Sequence, residues 1–416
     1  MKICILLYEH DLPDLRIESE ARRLARGEHE IVIVCERRND PDYQMDIENI
    51  SVVRLKLEIR FLRAVNRIIY LLFLFDCFWF LTLARLHRQH RFDAFHISDL
   101  PLARTAQILA KLCNRRVVLD LHENYPVVLQ AFWPWSMDWR MRFKKRILFS
   151  LSRWKRYEQS ALSGADETIV VVEEAKQRIA SLGIPEKQIT IVGNTLKDSF
   201  MSFPQQDPQL EKRYSGKLLL SYIGSVNLSV ALDKVIKAMP KIISAVPNAH
   251  LLILGEGSQI PELHQMITMF SLEQYVSFES WQPLSHIPSY MAVSSVGLLP
   301  FKPDEHHQST VSHKLFQYMY MRCPVMASEC KALIRIIADA RCGRVVKGSM
   351  EISSIFAKDV ITLLKDENLR YDMGCRGRRA VLANYRWPED GDRLAELYQR
   401  LEASQTTKKL FQKVYD

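Results

Sequence analysis

The stretch His313–Ser328, HKLFQYMYMRCPVMAS, places an amphipathic helix directly before a buried strand. Before it, GLLPFKPDEHHQSTV (297–311) reads as a strand running into a loop of hydroxyls and imidazoles. A helix opening near Thr310 to Lys314 aims its free N–H groups at whatever lies beyond the strand ends, and phosphate is the natural guest. The Thr310, Val311 and Ser312 amides, with Leu315 opening the apolar face, form the expected anion cradle. Lys314 adds a full charge for the same pyrophosphate. Gln317, one turn on, can reach a sugar hydroxyl.

Working outward, apolar runs of strand length alternate with helix-length amphipathic runs, which predicts parallel sheets covered on both faces. The first half predicts strands at Ile3–Tyr8, Ile31–Cys35, Ser51–Leu55, Ala94–Ile97, Val117–Leu121, Thr168–Val172 and Ile189–Val192. The second half predicts Leu218–Ile223, His250–Leu254, Val276–Glu279, Val296–Leu299, Val325–Ala327 and Gly343–Val346. The fold class is α/β, with two doubly wound, Rossmann-like domains facing across a cleft at the carboxyl ends of their strands. The expected boundaries are 1–198 for a first Rossmann-like domain, 199–216 for a Pro-broken linker, 217–387 for a second Rossmann-like domain and 388–416 for a terminal helix and tail. No repeat of 20 to 50 residues is present.

The 416 residues, 48% apolar and 25% charged, suit a globular protein of two ordinary domains. The eight cysteines contain no C-x-x-C pair and read as free thiols in a reducing compartment. The N-terminus runs straight into a strand without a secretory leader pattern, so a cytoplasmic location is expected. A net charge of +9 is unevenly placed. Trp139–Tyr157 holds eight Lys or Arg and no acid, and Trp133, Trp135, Trp139 and Trp154 lie in or beside it. That pattern suits peripheral contact with an anionic membrane through 133–157, the alternative being a solvated helix face with core aromatics. No nucleic-acid module accompanies it, so nucleic acid is not an expected partner. Val65–Ala84 is long and apolar, but Asp76 at its centre and Arg67 near one end favour a core helix of the first domain, at most grazing a bilayer, over a membrane span.

The run from His313 resembles the nucleotide-binding segment of retaining glycosyltransferases of family 4, which have the GT-B fold. Other stretches resemble that family in order: the opening MKICILLYEHDLPDLRIESEARRLARGEHEIVIVCER, FHISDLPLA, VVLDLHENYP, ETIVVVEEAKQRI with ITIVGNT, SYIGS, LLILGEGS, SFESWQPLSHIPSYMAVSSVGLLP and NYRW. The resemblance implies transfer of a sugar from a nucleotide-diphosphate donor to a hydroxyl acceptor, lipid-linked or polysaccharide, with retention of configuration. It implies His122 against the donor sugar and Lys314 on the diphosphate as the catalytic residues. Gly224 and Ser225, then Gly255 and Gly257, allow close backbone approach to phosphate. The resemblance further implies that 1–198 binds the acceptor and 217–387 the nucleotide sugar, with the loop Glu279 to Pro283 and its Trp281 cradling the base. His96, Asp99 and Glu123 are expected on the acceptor side, with capping as the alternative for His96 and Asp99 and a helix N-terminus as the alternative partner of Glu123.

No metal and no cofactor are expected beyond the donor itself, since a helix start and a lysine can hold the leaving group. His306 and His307 lack a third ligand at metal spacing. The pairs Asp40/Asp42 and Asp390/Asp392 read as solvated turn residues. Two departures from the family stand out. Ser309 occupies the place of a usual glutamate eight positions before Gln317, and Ser225 and Val230 stand where the family often has Arg or Lys, Lys234 being one turn further. The alternative function is therefore a catalytically silent GT-B member acting as a scaffold in glycan assembly. A nicotinamide-dependent oxidoreductase is excluded, because no G-x-G-x-x-G follows the first strand.

Overall fold

The computed structural model describes residues 1–8, 12, 14–36, 47–55, 60–131, 148–346 and 353–415. The chain divides into two units, Met1–Gly193 with Pro388–Asp416, and Asn194–Trp387.

The first unit is built on β1 (Lys2–Leu7), β2 (Glu30–Glu36), β3 (Ile50–Leu55), β4 (Ala94–Ser98), β5 (Arg116–Leu121), β6 (Glu167–Val170) and β7 (Ile189–Ile191). They form one parallel sheet in the order β3-β2-β1-β4-β5-β6-β7. The order reverses between β1 and β4, the place where loops diverge and an open α/β sheet takes its ligands. Leu7 pairs with Ser98, and Ser98 with Asp120, so the carboxyl ends of β1, β4 and β5 lie level. The second unit repeats the plan with β8 (Leu218–Ile223), β9 (Ala249–Leu254), β10 (Val276–Glu279), β11 (Val296–Leu299), β12 (Val325–Ser328) and β13 (Gly343–Val346). Its parallel order is β10-β9-β8-β11-β12-β13, with the switch between β8 and β11. All thirteen predicted strands are present, most of them shifted by a residue or two at an end.

Helix α1 (Leu15–Ala25) starts where Asp14 Oδ1 accepts from the Arg16 and Ile17 amides at 2.9 and 3.0 Å. Ile17, Ala21 and Leu24 bury its apolar face. Unusually, Arg16 and Glu20 are buried with them.

The structure departs from the expected organisation at three places. The segment 199–216 lies within the second unit and carries most of Asp198–Met201 and all of Pro208–Arg213, the latter capped by Asp207 with a proline in its first turn. The apolar stretch 65–84 is not one core helix. It breaks into α2 (Arg60–Phe73) and α3 (Cys77–His90), bent by 98°, because Leu74 takes a left-handed φ of 52° and Asp76 caps α3. Asp390 is not a solvated turn residue but lies in the terminal helix Trp387–Tyr415, buried and paired with Arg393 at 2.7 Å. Asp392 is exposed and pairs with Arg23 at 2.8 Å. Asp40, Asp42 and the basic segment 132–147 lie outside the described residues.

The terminal helix belongs to the first unit through Tyr398, which is fully buried and stacked on His96, and through Arg400, 3.3 Å from Glu167. Among the described residues, no single helix is long and apolar enough to cross a membrane. The eight cysteines are free thiols, as expected, five of them buried.

Candidate active site

The second unit gathers the expected phosphate-binding residues at its switch point. Gly224 ends β8 with a φ of 141°, and Gly255 ends β9 with 139°, both in a region that favours glycine. A Cβ on Gly255 would stand 2.1 Å from the Gly224 carbonyl oxygen, and one on Gly257 2.0 Å from that of Val226. The two loops therefore touch backbone to backbone, which only glycine permits. Ser225 is exposed at the tip, its carbonyl accepting from Tyr222 Oη at 2.7 Å.

The helix His313–Tyr320 begins after Ser312, whose hydroxyl accepts from the Lys314 amide at 3.4 Å. Thr310 and Val311 thus precede the helix instead of forming its first turn, and Val311 and Leu315 point into the core. Lys314 Nζ lies beside Gly224: a Cβ there would come within 2.1 Å of it. The ammonium has no ion-pair or hydrogen-bond partner among the described residues, and only the Tyr222 ring lies near, 5.8 Å to its centroid. Burial pushes its pKa down to about 8. A half-buried cation held without an anion at a switch point is built for one. Gln317 stands one turn on, half-buried, its side chain also unpaired among the described residues. Trp281 is largely exposed, and Glu279 is held by Arg213 and by Tyr214 Oη at 3.0 Å.

The departures from the family have structural reasons. Val230 belongs to the hydrophobic core, so no cation could stand there without rebuilding it. Ser309 is buried, its hydroxyl donating to the Glu305 and His306 carbonyls at 3.0 and 3.2 Å. Lys234 sits 3.6 Å from Asp233. His307 is fixed by Asp304 through both ring and backbone at 2.9 Å, and burial among like charges lowers His306 to about 4.

The first unit holds a buried charge cluster at its own switch point. His122 follows β5, and its Nε2 is 2.7 Å from Asp120 Oδ2 while Nδ1 is 3.5 Å from Asp99 Oδ2. Asp99, with a φ of 59°, also accepts the His122 amide at 3.0 Å. Burial alone would lower the imidazole, but the charges of Asp120 and Asp99 outweigh it and lift His122 to about 9. His122 therefore carries a positive charge at neutral pH, with 19% of its side chain exposed.

Beneath it, Arg16 reaches Asp120 with Nη2 at 2.9 Å, Glu20 with Nε at 3.0 Å and the Val192 carbonyl with Nη1 at 3.0 Å. Burial opposes ionisation of Asp120, yet Arg16 and His122 hold it well below the usual carboxylate range. Glu20 is pushed up by burial and by the charge of Asp120. His96, expected on the acceptor side, is instead fully buried in mid-strand, its Nδ1 2.9 Å from Tyr398 Oη. It can reach an acceptor only through its neighbours. Glu123 is exposed beside His122. Glu20, Asp120 and His122 offer ligand atoms within 4.8 Å of one another, but the Arg16 guanidinium already sits among them, and a divalent cation would face it directly.

Arg16, Glu20, Asp120 and Tyr398 were not foreseen as members of this cluster. Their signal was legible in charges placed on apolar patterns: Arg16 and Glu20 four apart on the buried face of α1, and Asp120 inside VVLDL.

Comparison with known proteins agrees with both units. Residues 14–195 match the glycosyl transferase 4-like domain, and residues 217–366 match glycosyl transferases group 1. The chain is 28% identical over 176 residues to a GDP-mannose-dependent alpha-(1-6)-phosphatidylinositol monomannoside mannosyltransferase of Mycolicibacterium smegmatis, covering 42% of this chain and 46% of that one. It is 25% identical over 205 residues to N-acetyl-alpha-D-glucosaminyl L-malate synthase of Bacillus anthracis, covering 49% and 51%. The chain thus spans about half the length of the curated relatives it matches. Among solved structures, sucrose-phosphate synthase of Thermosynechococcus elongatus superposes with a TM-score of 0.74 at 14% identity over 97% of this chain and 99% of that one. HepE of Anabaena, solved with UDP and glucose, gives 0.69 at 14% identity over 96% and 100%. Two parallel α/β units of this topology, both family matches and the ordered series of motifs have one reading: the chain belongs to the family 4-like glycosyltransferases of GT-B fold.

Proposed function

We propose that the chain moves a sugar from a nucleotide-diphosphate donor to a hydroxyl acceptor on a lipid-linked glycan or polysaccharide, with retention of anomeric configuration and without a metal. The observation that carries this reading is the unpaired Lys314 ammonium set against Gly224 at the switch point of the second sheet. A departing diphosphate needs its charge neutralised, and a lysine beside a helix start supplies that without a cation. Gln317 takes a ribose hydroxyl, Trp281 lies against the base, and the Thr310 to Ser312 amides serve the phosphates. From the first unit, His122 is assigned to the reacting centre, its imidazolium serving the negative charge that develops on the departing diphosphate, not the positive charge of the sugar ring. Likeness to a GDP-mannose-dependent phosphatidylinositol monomannoside mannosyltransferase and to a structure solved with UDP and glucose supports a nucleotide-sugar donor and a lipid-bearing acceptor. Work at the cytoplasmic membrane face, with peripheral contact through 133–157, belongs to the same reading.

A second reading is a catalytically silent member that binds nucleotide and scaffolds glycan assembly. Ser309 with its hydroxyl committed to backbone carbonyls, and Val230 in the core, favour it. Release of free nucleotide from a panel of UDP-, GDP-, ADP- and CMP-linked sugars separates the two. Turnover of one donor, with the product anomer read by NMR, supports transfer with retention. Silence towards all donors in a protein that still binds nucleotide supports the scaffold.

A further inference from the structure

Helix α2 is inside out. Its apolar residues Phe61, Val65, Ile68 and Leu72 recur at i, i+4, i+7 and i+11, the spacing of a helix that buries one stripe. Here the stripe is exposed, with Phe61 at 74%, Ile68 at 57% and Leu72 at 54%. The other side holds the helix to the protein. Asn66 donates to Asp76 Oδ2 at 2.9 Å and accepts from the Phe78 amide at 3.2 Å, while Tyr70 stacks on Tyr8 with centroids 5.7 Å apart. At the C-terminal end, Arg153 donates to the Leu71 and Leu72 carbonyls at 2.7 and 2.8 Å, and Arg104 donates to that of Phe73. These contacts fix the rotation of α2, so its apolar stripe is presented outward by design of the polar face.

We infer that α2 is a docking surface for an anionic phospholipid bilayer, lying flat in the interface with Phe61, Val65, Ile68 and Leu72 inserted. Charge selects this occupant. From 59 to 92 the sequence has six arginines, at 60, 63, 67, 85, 88 and 91, and a single acid, Asp76, which is buried. A second copy would bring arginine against arginine, which disfavours association, whereas anionic headgroups complement them. Fourteen residues of helix span only about 21 Å, and α3 turns away by 98°, so the geometry is that of a helix lying on a membrane, not crossing it. Leu81 on α3 is exposed as well, at 68%. This inference deepens the lipid-bearing part of the proposed function and rests on it for its purpose, yet it makes α2 the inserting element, with Arg153 of the segment 133–157 holding its C-terminal end.

Co-sedimentation tests it without turnover, using phosphatidylcholine vesicles with and without about 30% phosphatidylglycerol. The wild-type chain is expected to sediment with the anionic vesicles. Phe61→Ser with Ile68→Ser and Leu72→Ser should cut bound protein at least about tenfold, with an unchanged melting temperature because these side chains bury little in the fold. Arg63→Gln with Arg67→Gln should remove the preference for phosphatidylglycerol. Phe61→Trp should shift to blue emission and be quenched by brominated acyl chains. The inference is overturned by a wild-type chain that ignores both vesicles, by a triple variant that sediments like wild type, or by a triple variant whose only change is loss of a dimer. Nucleotide titration of the same preparations reads the proposed function separately, since Lys314 lies in the other unit.

Discussion

Lys314 Nζ occupies the space that a side chain on Gly224 would need, with only 2.1 Å between the ammonium and an added Cβ. The glycine at the end of β8 and the lysine in the first turn of the helix His313–Tyr320 are therefore one device. Gly224→Ala should displace the ammonium and strain a backbone whose φ is 141°. Nucleotide affinity should fall at least about tenfold by calorimetry, and the strain should cost ~1–3 kcal/mol of stability. Unchanged affinity would detach the pair from phosphate binding.

The unpaired ammonium also sets a pH dependence. Burial lowers Lys314 to about 8, so its charge is complete below that value and fades above it. UDP or GDP affinity should decline as pH rises from 7 to 9 by roughly the amount that titrating one cation allows. Lys314→Met should weaken binding at pH 7 and flatten the profile. Stability runs the other way: between about 8 and the ordinary lysine value of 10.5 the unfolded chain binds more protons, so this group's contribution improves as pH rises through that window.

His122 carries the opposite sign. Its pKa is raised to about 9 from 6.5, so the stabilisation it gives is fully present below 6.5 and lost as pH climbs through about 9. The His122 ring protons should titrate near 9 by NMR, and an inflection near 6.5 would contradict the grip of Asp120 and Asp99. His122→Ala should lower turnover far more than nucleotide affinity, which the proposed function assigns to the second unit.

Most of the fold was legible because parallel strands buried on both faces announce themselves as apolar runs, and the lysine, the glycines and His122 stood in recognisable motifs. Three kinds of feature were not. The rotation of α2 depends on Asn66, Arg104 and Arg153 reaching it from elsewhere, which periodicity does not record. The seat of His96 depends on Tyr398, 302 residues away in sequence. The protonation of Glu20 and His122 depends on charges brought together by β4, β5 and α1. Local pattern fixes elements, whereas such contacts exist only after the sheet has formed.

The buried cluster allows one more separation. Arg16 is the larger of the two cations that let Asp120 stay ionised without solvent, and removing it leaves that charge to His122 alone. Arg16→Met should cost ~3–5 kcal/mol in urea unfolding at neutral pH, and Arg16→Lys should recover only part, because a point charge cannot span Asp120, Glu20 and the Val192 carbonyl together. Glu20 is different. Burial and the neighbouring Asp120 favour its neutral acid, and neither of its oxygens makes a well-aligned hydrogen bond. Glu20→Gln replaces that acid by a neutral amide of the same shape and should therefore change stability by less than about 1 kcal/mol. A loss as large as that of Arg16→Met would mean that Glu20 is ionised, and that Arg16 balances two carboxylates in place of one.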